Sequence, residues 1–356
     1  MIDAFRTLTA FDSESFHEKE IADHLEAKLR ELGTEVKRDN DGNIYAFLKG
    51  NAGGEPILFS AHMDTVSPGV GKKAVFHDSG KVTSDGRTVL GADDVTGIVA
   101  ILEMLEVIKE KRLSHPDIEA VFFVAEEVYG LGSANFDYSQ IKARKAYVLD
   151  LDGPVGRIAN RAPSIVQFEI RIEGKSAHAG FEPEKGISAL QIAARGIDGL
   201  KLGRIDEKTT ANIGVISGGT GKNIIPGEVK LEGEVRSLDD EAALAYIEKI
   251  KERFETVSGE FGGKCFFTSK RMIKAFHTES DSEVIRKYAD ALHALGYGEP
   301  VIVTTFGGSD NNNLALHGIE GIVISNAMNL VHTVNEYFYV DELVKSAEIV
   351  LRLGTK

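Results

Sequence analysis

The chain has 356 residues, with 41 Lys+Arg against 55 Asp+Glu, a formal net charge of 41 − 55 = −14. A content of 42% hydrophobic and 27% charged residues is that of a globular protein and excludes a disordered or fibrous one. The single cysteine, Cys265, excludes an intrachain disulfide and thiolate zinc sites of the finger type, and an acidic chain without a basic cluster disfavours nucleic acid as a partner.

The chain exceeds the roughly 250–300 residues at which one core stops growing, so two domains are expected. No apolar run reaches the ~18 residues of a membrane span. The opening Met-Ile-Asp-Ala-Phe lacks the basic and apolar regions of a secretory leader, so the expected location is the cytoplasm and no membrane partner is expected.

In chain order, the first predicted helix starts at Ser15, with Glu18 completing a capping box. Ile21, Leu25, Leu29 and Leu32 form its apolar stripe, and Gly33 ends it. Asp41-Gly42 reads as the turn of a hairpin between 34–39 and 43–48. Ile57–Ala61, Ala120–Ala125 and Ala146–Leu149 are short apolar runs suited to buried strands, with a helix through Ile98, Leu102, Leu105 and Ile108 between the first two. Strands alternating with helices predict an α/β sheet covered on both faces.

Near Ile158 the pattern changes. In Ile165–Ile172 and Gly227–Arg236 apolar and polar residues alternate strictly, as in a sheet with one covered face. Helices are predicted at 187–200 and 241–257. From about Phe276 the α/β character returns, with strands at 301–305 and 321–325 and a last helix from Val340. The reading is a catalytic α/β domain, 1–161 plus 274–356, interrupted by an inserted α+β domain at 162–273.

The polar residues that interrupt the apolar runs are the informative ones. Ile57–Ala61 runs into His62-Met63-Asp64, Ala120–Ala125 into Glu126-Glu127, and Ala146–Leu149 into Asp150-Leu151-Asp152. Gly91-Ala92-Asp93-Asp94 precedes a helix, and His332 follows the last strand region. Ligands of open α/β sheets bind at the carboxyl ends of strands. Taken singly, each group has a plain explanation: a buried hydrogen-bonded histidine, or a solvated acidic pair. Together, abutting apolar strands, uncompensated carboxylates would face a desolvation penalty of several kcal/mol that a dication offsets. Oxygen and nitrogen donors suit Zn²⁺, Mn²⁺ or Co²⁺. No His-Glu-x-x-His helix and no Gly-x-Ser-x-Gly elbow offers a competing chemistry.

These five spaced motifs resemble the dinuclear zinc peptidases of the M20 family, and most of all its peptidase T branch, over nearly the whole chain. The resemblance implies a zinc-exopeptidase-like catalytic domain, a mixed sheet flanked by helices, with an inserted lid or dimerisation domain. It implies two divalent ions per subunit, zinc foremost with manganese or cobalt as alternatives, and Asp93 bridging them. His62 and Asp150 would complete one site, Glu127 and His332 the other. Asp152 is a second candidate two residues from Asp150. The Asp93–Asp94 peptide is expected to be cis. Asp64 would orient the His62 ring, and Glu126 would be the general base for a water shared by the ions.

In the inserted domain, His178, within Gly174-Lys175-Ser176-Ala177-His178-Ala179-Gly180, would stabilise the tetrahedral oxyanion; its plain alternative is a loop histidine that caps backbone groups. Asn223, Arg236, Gly308 and Ser309 would contact substrate, although Arg236 could equally make a structural ion pair. The implied activity is that of an exopeptidase on short peptides, a tripeptide aminopeptidase foremost, from a homodimer joined through the inserted domain. The alternative is an N-acyl amino acid amidohydrolase or carboxypeptidase-like enzyme of the same family. A binding protein that has lost catalysis is disfavoured, because the base and every ligand are present.

Overall fold

The computed structural model describes residues 1–355 and divides into two compact units, Met1–Ala162 with the chain from Phe276 onward, and Pro163–Ala275. The larger unit is built on an eight-stranded mixed sheet. Its order is Glu35–Arg38, Ile44–Leu48, Ile118–Phe123, Ile57–His62, Lys145–Leu151, Glu320–Ser325, Arg157–Ala159, Val301–Val303. The four central strands, from Ile118–Phe123 to Glu320–Ser325, run parallel, so their carboxyl ends share one edge.

Both faces of this sheet are covered, which is why its strands read as continuous apolar runs rather than alternating ones. Ile57, Phe59 and Ala61 face one apolar cluster with Ile98, Ile101 and Leu105 of the helix Ala92–Lys111. Leu58 faces the other, with Tyr45, Val121, Phe123 and Val323. The hairpin forms at Asp41-Gly42 because Asp39 Oδ1 accepts the backbone N–H groups of Asp41, Gly42 and Asn43 at 3.0, 2.9 and 2.9 Å.

One expectation fails. Ser15 does not cap the first predicted helix, which spans Lys19–Leu32 with Glu18 at its N-cap. The Ser15 hydroxyl instead donates to Asp64 Oδ2 at 2.7 Å, and Glu18 Oε1 accepts from Phe16 and Ala125 N–H at 3.0 and 2.9 Å. A buried ionised carboxylate is a stronger acceptor than anything a capping box offers the hydroxyl. The sequence reading also passed over the helix Glu283–Leu295 and a small sheet of Ala74–Phe76, Lys81–Ser84 and Tyr337–Tyr339.

The unit Pro163–Ala275 is a five-stranded antiparallel sheet in the order Gly203–Arg204, Thr209–Gly218, Glu228–Ser237, Ser164–Glu173, Lys264–Ile273. The helices Ala189–Asp198 and Asp240–Glu260 cover one face of it. Phe168, Ile170, Ile172, Leu231, Val235, Ile250 and Phe254 make its core, with Cys265 packed at the margin. Gly196 is required there, since a Cβ would lie 2.4 Å from the Phe254 ring.

Candidate metal centre

The parallel strands deliver their polar residues to one place. His62 ends a strand buried at every position. Its Nε2 lies 3.0 Å from Asp93 Oδ1 and 3.9 Å from Asp150 Oδ1, and its Nδ1 lies 3.0 Å from the Asp64 carbonyl and 3.3 Å from Asp64 Oδ1. On the other side of Asp93, His332 Nε2 is 3.2 Å from Asp93 Oδ2 and 3.0 Å from Glu127 Oε2. Asp93 thus turns one carboxylate oxygen to each imidazole. Two donor sets result, His62–Asp93–Asp150 and Asp93–Glu127–His332, each with ligand atoms within 4.8 Å of one another. Asp152 is exposed and belongs to neither set.

The backbone around these residues departs from regular structure. Asp93 and Asp94 have non-helical torsions at the head of Ala92–Lys111, and the peptide between them is cis. Ala125, just before Glu126, and His332 itself sit in the left-handed region at φ 51° and 62°. Non-glycine residues hold such torsions where surrounding contacts over-determine them, commonly at functional sites.

Asp64 ties the pieces together. It is 1% exposed and accepts the backbone N–H of Glu126 at 2.9 Å and of Glu127 at 3.1 Å, besides the Ser15 hydroxyl. One carboxylate therefore orients the His62 ring and both glutamates. Asp94 plays a similar part on the opposite side. Its carboxylate accepts from His62 N at 3.1 Å, Gly97 N at 3.2 Å and Asn326 Nδ2 at 2.5 Å. Gly97 is needed for that approach, because a Cβ there would lie 2.4 Å from Asp94 Oδ1.

The electrostatics are those of an anionic cluster short of positive charge. Burial pushes the carboxyls of Asp94, Glu126 and Asp150 well above the usual range, and raises Glu127 as well. Burial also acts to lower the His62 pKa, but the carboxylates of Asp64 and Asp93 outweigh it and hold the imidazolium well above its ordinary value. Hydrogen bonds to Asp93 and Glu127 raise His332 to about 10. For Asp93 itself burial favours the neutral acid, yet the two imidazoles prevail and hold the carboxyl below its ordinary value. Glu127 Oε1 is buried without a hydrogen-bond partner. An orphaned carboxylate oxygen inside each-other-facing oxygen and nitrogen donors fits a pair of divalent cations of borderline hardness.

The remaining sequence candidates belong to neither donor set. His178 is exposed in the inserted unit, where its Nδ1 accepts from Gly180 and Phe181 N–H at 3.1 and 3.2 Å, the backbone-capping arrangement. Asn223 is exposed and its carbonyl accepts from Ala179 N at 2.9 Å. Arg236 Nε donates to Glu234 Oε1 at 2.6 Å, an ion pair along the same strand. Ser309, 3% exposed, caps the short helix Asp310–Leu316, with Gly308 partly buried before it.

Four residues at the centre escaped sequence reasoning. Asn326 follows the strand Glu320–Ser325 directly, so the strand-end criterion that picked His62 would have found it. Asp310, 1% exposed and pushed up to about 7 by burial, stands close enough to Glu126 to raise it further. Ser15 was hidden by its resemblance to a cap, and Glu336 carries no signal beyond following His332 by four residues.

The fold and the paired donor sets define a metal-dependent hydrolase. Residues 161–261 match the family model of the M20 peptidase dimerisation domain, and residues 43–178 match that of peptidase family M28. The protein YqjE of Bacillus subtilis (strain 168) is 40% identical over 99% of this chain and 97% of its own length. The crystal structure of the aminopeptidase PepT from Bacillus cereus is 39% identical, with a TM-score of 0.93 over 99% of this chain and 96% of that one. That of a tripeptidase from Staphylococcus aureus is 33% identical, with a TM-score of 0.96 over the same shares. The chain belongs to the M20 family of metallopeptidases, in its peptidase T-like branch, and is a metallo-exopeptidase. No helix among the described residues is long and apolar enough to cross a membrane.

Proposed function

We propose that the chain is an aminopeptidase that releases the N-terminal residue of short peptides, tripeptides foremost. In this reading it holds two zinc ions per subunit, one on His62, Asp93 and Asp150 and one on Asp93, Glu127 and His332. A single observation carries it. Glu126, 8% exposed, stands beside both donor sets but belongs to neither, its backbone fixed on Asp64 and its carboxyl in no hydrogen bond among the described residues. The names of the Bacillus cereus and Staphylococcus aureus relatives support the aminopeptidase and tripeptide parts of the reading.

When bound, the two ions would supply Lewis acidity, which lowers the pKa of a water and polarises the scissile carbonyl. Glu126 takes the proton from the attacking water and returns it to the departing amine. Burial raises its proton affinity, which suits a group that must hold a proton between two steps. Asp64 keeps the His62 ring and the backbone of Glu126 in register through that exchange. His178 is assigned to the oxyanion. With Nδ1 accepting two backbone N–H groups, its proton sits on Nε2, the tautomer that can donate. Asn223, Gly308 and Ser309 are assigned to the substrate backbone, and Arg236 to its carboxylate. The match to a dimerisation domain supports a homodimer, and the cytoplasm is the proposed location.

Metal analysis coupled to a substrate panel tests the reading. Two zinc ions per subunit and preference for free-amine tripeptides over N-acetylated amino acids are expected. Glu126→Gln should keep its metal and lose about 10²–10⁴ in kcat. Near-normal turnover by that variant, or preference for the blocked substrates, would overturn it.

A further inference from the structure

Residues 330–336 form a closed loop, because Asn329 and Tyr337 exchange backbone hydrogen bonds at 2.9 and 3.0 Å across its base. His332 stands in this loop and Glu336 at its foot. Within it, Glu336 N donates to Thr333 O at 3.1 Å and the Thr333 hydroxyl to Leu330 O at 2.8 Å, so the two side chains are carried on one braced piece of backbone.

The Glu336 side chain, 1% exposed, reaches the segment that bears Asp93. Its Oε1 accepts the backbone N–H of Asp93 at 2.9 Å, and its Oε2 accepts those of Leu90 at 2.6 Å and Gly91 at 2.8 Å. The same loop therefore meets Asp93 twice: by Glu336 at the main chain, and by His332 at the carboxylate, 3.2 Å away. Lys72, itself buried, packs against the same segment. Its ammonium is held 3.3 Å from both Ser13 Oγ and Gly69 O, and its stem lies where a side chain at Gly91 would be.

We propose that Glu336 is a positioning residue that sets the span between His332 and Asp93, and with it the geometry of the Asp93–Glu127–His332 metal site. All three donors of the clamp are N–H groups, so both carboxylate oxygens are needed as acceptors. A glutamine must turn its NH₂ toward at least one of them, donor against donor. The loop then loses its hold on Leu90–Asp93, and His332 loses its register on the shared aspartate. His62 and Asp150 are carried on strands that Glu336 does not touch, so their site is disturbed at Asp93 alone, whereas the other is disturbed at both Asp93 and His332 and is weakened the more. The inference rests on the metal-binding reading given above.

The experiment compares wild type, Glu336→Gln and Glu336→Asp, each loaded with zinc and dialysed against graded chelator, counting the metal retained per subunit. Wild type should release its two ions at high chelator. Glu336→Gln should release one ion at about 10–100-fold lower chelator, the usual penalty for removing an outer partner of a metal ligand, and keep the other within about threefold. Its kcat on a tripeptide should fall in parallel while KM stays within about threefold. Glu336→Asp, which keeps both acceptor oxygens on a shorter arm, should fall between the two, and serves alone if the glutamine variant does not fold. Equal weakening of both ions would make Glu336 a purely structural residue, and an unchanged release profile would deny it any role; either result overturns the proposal. Wild type that retains no zinc would instead defeat the metal-binding reading itself.

Discussion

Asp64→Ala separates the organisation of the centre from its chemistry. The Asp64 carboxylate is the acceptor for two backbone N–H groups, Glu126 at 2.9 Å and Glu127 at 3.1 Å, and for the Ser15 hydroxyl at 2.7 Å. Each N–H left without an acceptor costs about 1–3 kcal/mol, whereas the partly buried Ser15 hydroxyl can turn to water and adds little. An opposing gain would come from relieved repulsion with Glu18, Glu126 and Asp310. Burial raises all three carboxyls, Asp310 to about 7, and so weakens the repulsion that could be relieved. The losses win, and the variant should be about 3–5 kcal/mol less stable. Urea unfolding at pH 7 of protein stripped with chelator, wild type alongside, reads this directly without the stabilisation that bound metal adds. A loss below about 1 kcal/mol would refute the view that one carboxylate holds both glutamates in place.

Asp310→Asn addresses a buried acid whose folded pKa, pushed up by burial, is about 7 against an ordinary 3.8. The folded state binds the extra proton, so its contribution to stability is complete below 3.8 and is lost as pH rises through about 7. At roughly 1.4 kcal/mol per pH unit this amounts to as much as about 4 kcal/mol. In chelator-stripped protein the asparagine variant should remove that decline between pH 4 and 7 and be the more stable form at pH 8; an unchanged slope would reject the buried acid as its cause. In the inserted unit, Asp239 accepts from Glu241 and Ala242 N–H at 3.0 and 3.2 Å at the start of Asp240–Glu260. Asp239→Ala should lower the stability of that unit by about 1 kcal/mol with kcat unchanged, measured by thermal unfolding and a tripeptide assay; a loss of turnover without a loss of stability would contradict a role confined to the cap.

What the sequence made legible follows from where its signals arise. An apolar run that ends in a charge is a local pattern, and His62, Glu126 and Asp150 all stand at such ends because parallel strands present their carboxyl termini to one edge. The alternation in Ile165–Ile172 likewise announced a sheet covered on one face: from Val166 on, Val166, Phe168, Ile170 and Ile172 are buried and Gln167, Glu169 and Arg171 are not, while Ile165 before them is buried as well. Groups that act through backbone hydrogen bonds left no such trace. Glu336 binds amides some 245 residues away in the chain, a pairing that only the fold creates. Ser15 shows the reverse error, a true local motif overridden by a long-range partner. Short strands such as Lys81–Ser84 and Tyr337–Tyr339 were invisible because each carries too few residues for a period to show.

The centre can be understood as one solution to a charge problem. Asp64, Asp93, Asp94, Glu126, Glu127 and Asp150 are gathered where water hardly reaches, facing two imidazoles. Burial, and after it neighbouring carboxylates, raise the proton affinity of Asp94, Glu126, Glu127 and Asp150, while adjacent carboxylates raise that of both histidines. Protons and dications therefore compete for the same oxygens and nitrogens, so cation uptake must expel protons and weaken as pH falls. Asp64 escapes this competition. Burial favours its neutral form, but His62, Ser15 and the Glu126 N–H together keep it ionised. A carboxylate held ionised in this way can keep the ligands in place, and Asp64 is positioned to do so by hydrogen bonds to Ser15 and to the backbone of Glu126 and Glu127.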